Sequence, residues 1–129
     1  MVIRFLTGDD PEKQANCQAL FERVGSGEEV VDLPLTVVAD AAHVLHSPQL
    51  YRLAKDEIAS MLIALISLRG IRIHNRQAVL DGLALYGSHA RLDFLDALIV
   101  AMTQSEDHPV VYSYDRNYDR FDGIDRREP

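Results

Sequence analysis

Apolar positions along the chain recur at two spacings, one helical and one that suits short buried strands. Residues 2–6, Val-Ile-Arg-Phe-Leu, form a run whose length leaves strand and helix equally open. Asp10-Pro11-Glu12 reads as an N-cap followed by proline at the first helical position. Ala15, Ala19, Leu20 and Phe21 then carry an apolar stripe to about Arg23, and Gly25-Ser26-Gly27 ends it. Val30-Val31-Asp32-Leu33 is rich in β-branched residues and closed by Pro34, which predicts a strand. Thr36 opens a helix over about 37–45, apolar on most sides except at Asp40, His43 and His46. A second amphipathic helix, 55–68, carries Ile58, Met61, Leu62, Leu65 and Ile66; Gly70 stops it, and Ile71-Arg72-Ile73 is a very short strand. Residues 76–88 form another helix. Asp93 begins one more, running through Ala97, Leu98, Val100 and Ala101 to about Glu106, before the strand Val110–Ser113. From Asp115 onward the chain reads as polar and turn-like.

Helices alternating with short, nearly all-apolar strands predict an α/β fold, a three-layer sandwich with a short, mostly parallel sheet flanked by helices. Residues 1–129 show no repeat, low-complexity segment or interdomain linker, so a single domain is expected.

Charge and cysteine usage narrow the function classes. With 13 Lys/Arg against 20 Asp/Glu the net charge is −7, which argues against a broad basic platform for double-stranded nucleic acid. A metal held by carboxylates would reverse the field locally, so a nuclease is not excluded. The single cysteine, Cys17, rules out an internal disulfide and a cysteine-based zinc cluster, and suits a reducing cytoplasm. It lies among Ala and Leu on the first long helix and reads as a core or boundary residue. The N-terminal apolar run is broken by Arg4 too soon for a signal peptide, and no run approaches the roughly 18 to 20 apolar residues of a membrane span.

In open parallel sheets, functional groups collect beyond the carboxyl ends of the strands. Four acids stand out there. Asp40, within Val37-Val38-Ala39-Asp40-Ala41-Ala42, is a poor helix former in an apolar helix, and burial without a partner would be costly. An outward-facing or arginine-paired carboxylate explains it equally well. Asp93 and Asp96 lie three apart at a helix start, one face of which could share a cation. N-capping by Asp93, with Asp96 at the third helical position, is the competing structural reading. Asp115 follows the strand Val110–Ser113, where a catalytic acid belongs in this architecture, although Asp115-Arg116-Asn117 also suits a solvated turn. Hard oxygen donors without cysteine favour Mg²⁺ or Mn²⁺ over Zn²⁺. Asp40, His43 and His46 spread over about a third of the helix circumference, too widely for a zinc cluster. No Gly-x-Ser-x-Gly turn is present.

Four blocks of this sequence resemble the PIN domains, and within them the VapC-type toxins of bacterial toxin–antitoxin pairs. They are Ile3-Arg4-Phe5-Leu6-Thr7-Gly8-Asp9-Asp10-Pro11, Val38-Ala39-Asp40 through Val44-Leu45, Asp93-Phe94-Leu95-Asp96-Ala97-Leu98-Ile99, and Val111-Tyr112-Ser113-Tyr114-Asp115-Arg116-Asn117-Tyr118. The resemblance implies a Mg²⁺- or Mn²⁺-dependent endoribonuclease, held inactive by a VapB-like antitoxin and acting as a homodimer. It implies that Asp96 and Asp115 are metal-site acids, that Asp93 is an auxiliary member, and that Asp40 stands where the family usually has Glu, as a further metal-site acid that also helps to orient the attacking water. Ser113, Arg116 and Asn117 are candidate RNA contacts; Arg69, Arg72, His74 and Arg76 read more simply as solvated charge.

The chain departs from the family in one respect. The pattern expects a first strand ending in Asp-Thr-Asn immediately before the segment that here begins at Met1. That strand lies in the middle of the family's sheet, so its loss removes a metal ligand and the strand joining the two halves. A start site assigned too late would account for this; alternatively, residues 2–6 occupy the vacant strand position and bring Asp9 or Asp10 loosely near the site. The corresponding functional alternative is a catalytically impaired PIN-like domain that binds an antitoxin or oligomerises.

Overall fold

The computed structural model describes residues 2–8 and 10–129. Asp9, one of the two acids placed near the site by the alternative reading of the N-terminus, lies outside them, as does Met1. Residues 2–7 are a helix, α1 (Val2–Thr7), not a strand. The physical reason is local and tertiary together. The Thr7 hydroxyl donates to the Ile3 carbonyl at 2.8 Å, and Val2 is buried as α1 packs on the following helix. Asp10 is the cap of the next helix. It has extended backbone, and its carboxylate accepts from the Lys13 N–H at 3.2 Å at the start of α2 (Pro11–Ser26).

Then follow β1 (Val31–Asp32), α3 (Leu35–His46), α4 (Lys55–Ile66), β2 (Ile71–Arg72), α5 (Arg76–Ser88), α6 (Phe94–Gln104), β3 (Val110–Tyr112), a 3₁₀ turn (Arg116–Arg120) and β4 (Asp125–Arg127). Helices thus alternate with short strands, and every strand pairing is parallel, as the apolar pattern requires. The polar tail contains one element the pattern does not announce: β4, whose sequence is Asp-Arg-Arg. Its hydrogen bonds come from the backbone, with Ser113 N–H donating to Arg127 O at 2.9 Å and Asp125 N–H to Pro109 O at 2.7 Å.

The strands make two separate pairs, β1 with β2 and β3 with β4. Among the described residues no strand bridges them. Helices hold the halves together. In α4, Ile58, Ala59, Leu62, Leu65 and Ile66 form the buried stripe of an amphipathic helix. Helix α5 packs most extensively, against α4 on one side and α6 on the other. Gly82 permits the second contact: a Cβ there would stand 3.1 Å from the Leu98 Cα. The close crossing fixes α6, and with it the acids at its start.

Candidate active site

Helix α6 begins where Asp93, with φ −75° and ψ 170°, turns the chain inward. Its carboxylate accepts from the Asp96 N–H at 2.8 Å, a capping bond that satisfies one of the free donors at the helix start. Asp96, one turn in, is half-buried, and its Oδ1 accepts the Tyr118 O–H at 3.4 Å. Tyr118 is buried on the 3₁₀ turn, so the segment after β3 is tied to the first turn of α6.

Asp115 leads that segment. Its N–H donates to the Ser113 hydroxyl at 3.0 Å, and its carboxylate accepts from the Asn117 N–H at 2.9 Å. Two short side-chain turns in succession present the Asp115 carboxylate at the end of β3. The structural readings of Asp93 as a cap and Asp115 as a turn residue are therefore both realised. Neither excludes chemistry, because each carboxylate retains further lone pairs.

The three acids sense one another. Burial raises the proton affinity of Asp96 above the ordinary carboxylate value, and the negative charges of Asp93 and Asp115 raise it further, against an opposing hydrogen bond from Tyr118. Burial and the charges of Asp96 and Asp115 also push the Tyr118 phenol up. No Lys or Arg forms an ion pair with Asp93, Asp96 or Asp115 among the described residues. Apart from the attraction between Asp93 and Lys55, this is negative charge without an ion-pair partner, built from hard oxygens, the chemistry of a divalent-cation site. The residues fit a cation in donor type and charge, but not as a closed shell: no three His, Cys, Asp or Glu side chains among the described residues gather tightly enough to ligate one ion.

Asp40 is on helix α3, which packs against α6. It is exposed on α3, and its charge is not among those that shift Asp96. Its neighbours His43 and His46 line a cavity of about 420 Å³ between α3 and the α5–α6 turn, whose far wall includes Lys55, Tyr86 and Asp93. His46 is engaged by the Leu53 carbonyl at 3.0 Å. Ser113 and Asn117 are joined to Asp115 as above, and Arg116 is exposed beside it. Arg69, Arg72 and Arg76 lie elsewhere, around β2: Arg72 pairs with Asp32 at 3.4 Å, and Arg76 is tied to the carbonyls of Ile66 and Ile71.

Two supporting residues are given no role by the sequence. Lys55 Nζ donates to the carbonyls of His89 and Leu92, in the turn leading into α6, and sits 4.5 Å from the centre of the Tyr86 ring. Burial lowers its proton affinity while the Asp93 charge opposes that shift. The available signal was a cation in the first turn of a helix, where the macrodipole disfavours it and where Asp56 and Glu57 follow. Tyr118 is the other, signalled only by its place three residues after Asp115.

A family model described as PIN domain covers residues 1–124, nearly the whole chain. No curated protein and no solved structure matches.

Proposed function

The chain belongs to the PIN-domain family, whose members are generally metal-dependent nucleases, and from that premise we propose that it is a Mg²⁺- or Mn²⁺-dependent endoribonuclease, the toxin of a type II toxin–antitoxin pair. The observation that carries this reading is Asp96, half-buried between Asp93 and Asp115 with no cationic side chain beside it. Asp96 and Asp115 would hold the ion, with Asp93 contributing from the helix cap. A divalent ion bound there would supply Lewis-acid activation of water near neutral pH and positive charge against the phosphodiester transition state.

The protein's own groups do the rest. Tyr118 orients one carboxylate oxygen of Asp96 by its hydrogen bond, and Asn117 does the same for Asp115. Asp40, on the facing helix, orients the attacking water. Ser113, Arg116 and Asn117, at the end of β3, contact the RNA backbone. The VapB-like antitoxin of this reading packs on exposed apolar surface and sends a basic side chain toward the acids. Leu95, Ile99 and Met102 offer such a stripe on α6, each more than two-fifths exposed. The same chemistry suits a cytoplasmic homodimer; no helix among the described residues is long and apolar enough to cross a membrane.

The division of the strands into two pairs and the open acid cluster favour one alternative, a catalytically impaired domain whose remaining role is antitoxin binding or oligomerisation. RNA cleavage separates the two. Cleavage that requires Mn²⁺ or Mg²⁺ and disappears with Asp96→Asn upholds the enzyme; antitoxin binding without cleavage at any concentration of either ion sinks it.

A further inference from the structure

The arginines divide into two groups. Most of those around the rest of the fold are occupied, with exposed Arg69 near β2 an exception. Arg23 donates to the Ala19 carbonyl and Arg52 to that of Pro48. Arg126 pairs with Asp119 at 2.8 Å, and Arg127 with Asp125 at 2.7 Å. Arg91, Arg116 and Arg120, by contrast, are exposed and make no hydrogen bond or ion pair among the described residues. All three stand at the edge that carries the acids.

Arg91 and Arg120 face each other across a cleft of about 330 Å³ between the α5–α6 turn and the 3₁₀ turn, walled also by Ser88, His89, Asn117 and Phe121. No acid lines it, in a chain whose net charge is −7. An aromatic pair lies within it: the His89 and Phe121 rings are 5.2 Å apart and tilted by 51°. The cleft adjoins the acids through the chain itself. Arg91 precedes Asp93 by two residues, and Asn117 donates its N–H to Asp115.

We infer that this cleft is a binding site for one nucleotide of single-stranded RNA flanking the scissile phosphate, with Arg91 and Arg120 on backbone phosphates and the His89 ring against the base. Unpaired guanidinium groups beside an aromatic face are the two components of single-strand recognition. A base stacked within a duplex cannot reach a ring inside a cleft, which selects the unpaired strand. The inference rests on reading Asp93, Asp96 and Asp115 as the place of cleavage.

The test is fluorescence anisotropy of a labelled single-stranded RNA oligonucleotide of mixed sequence in EDTA, where binding is read without cleavage. The wild-type chain is compared with Arg91→Ala, Arg120→Ala, the double variant and Arg69→Ala, each checked for folding by circular dichroism. Each single cleft substitution is expected to weaken binding about fivefold and to lower the salt slope by about one, while Arg69→Ala changes neither. Unchanged RNA affinity in the double variant overturns the cleft; if Mn²⁺-dependent cleavage persists there, the nuclease reading survives it. Poly-glutamate binding that falls in the double variant while RNA binding does not would assign the arginines to an acidic protein partner instead. A wild-type chain that neither binds nor cleaves RNA removes both readings.

Discussion

In the β1–β2 pair the strand surroundings are packed tight. Leu33 and Ile71 are buried, Arg76 reaches the carbonyls of Ile66 and Ile71, and the Gly70 N–H donates to Val24 O at 2.8 Å. In the β3–β4 pair no strand residue is buried. Charge and backbone hold that pair instead, with Arg126 on Asp119, on Glu128 and on the Ser113 carbonyl. The first pair anchors the fold by apolar burial, which tolerates no polar group without a partner. The second leaves its carboxyl end in solvent, and only such an end can present Ser113 and Asp115 at no desolvation cost.

The comparison is broken most severely on the anchored side. Gly70 accommodates a close approach of chain: a Cβ there would lie 2.1 Å from the Glu29 carbonyl oxygen and 2.7 Å from that of Val24. Both are backbone atoms and cannot swing away. Gly70→Ala should cost about 3 kcal/mol or more and lower the melting temperature by roughly 10 °C. A melting curve matching the wild type would mean that the β1–β2 pair is not the rigid half.

On the other side, activity and stability should part company. Loss even of groups that only support a metal ligand typically costs about 10- to 100-fold, so Asp96→Asn should reduce cleavage by at least about 100-fold. Its stability should not fall with it. The folded protein holds the Asp96 proton more tightly than the unfolded chain does. The resulting stabilisation is complete below the unfolded value, near pH 4, and is lost as pH rises through the raised folded value. At pH 7 the carboxylate is thus a liability that the amide lacks, while Asn still accepts the Tyr118 bond. The variant is expected to melt at or above the wild type at pH 7, with wild type regaining ground as pH falls toward 4. A variant less stable at pH 7 than at pH 4, relative to wild type, would contradict this sign.

Lys55 links the two sides, since it reaches from the first turn of α4 to the turn before α6. Lys55→Met keeps much of the aliphatic stem but removes the ammonium donor from the Leu92 carbonyl and leaves the His89 carbonyl only the Leu92 N–H. A loss of about 2 kcal/mol in urea unfolding is expected. Destabilisation alone would leave the fully folded variant with normal metal dependence. Positioning of Asp93 and Asp96 predicts instead that the Mn²⁺ concentration for half-maximal cleavage rises about tenfold.

The legible and illegible parts of the sequence divide along the same line. Helices α4 and α6 announce themselves because Ile58, Leu62, Leu65 and Ile66, or Ala97, Leu98, Val100 and Ala101, repeat at helical spacing. Strands β1, β2 and β3 show as β-branched runs. Strand β4 does not, because its inward position is Arg126, only 12% exposed and made acceptable by Asp119, seven residues earlier, and by the neighbouring Glu128. Hydrophobic patterning has no symbol for a neutralised arginine. The run at 2–6 was ambiguous for the opposite reason: it is apolar enough for either element, and packing against α2 decides it. In the candidate site, Asp93, Asp96 and Asp115 were visible from their places at element ends. Lys55 and the Arg91–Arg120 cleft were not, because their partners lie about 35 and 30 residues away in the chain.

Asp40 offers the finest test, because sequence placed it with the other acids and structure sets it on the facing helix, exposed, with its charge absent from those acting on Asp96. An acid that orients a water without sharing the ion should matter less than one that holds it. Asp40→Asn is expected to lower cleavage about tenfold, near 1.4 kcal/mol of barrier, and to shift stability by no more than about 0.5 kcal/mol, as an exposed substitution does. The half-maximal Mn²⁺ concentration should stay where it is, in contrast to Lys55→Met. If Asp40→Asn instead matches Asp96→Asn in both cleavage and metal dependence, α3 must move toward α6 when the ion binds, and the acids of the two helices form one site in the working enzyme.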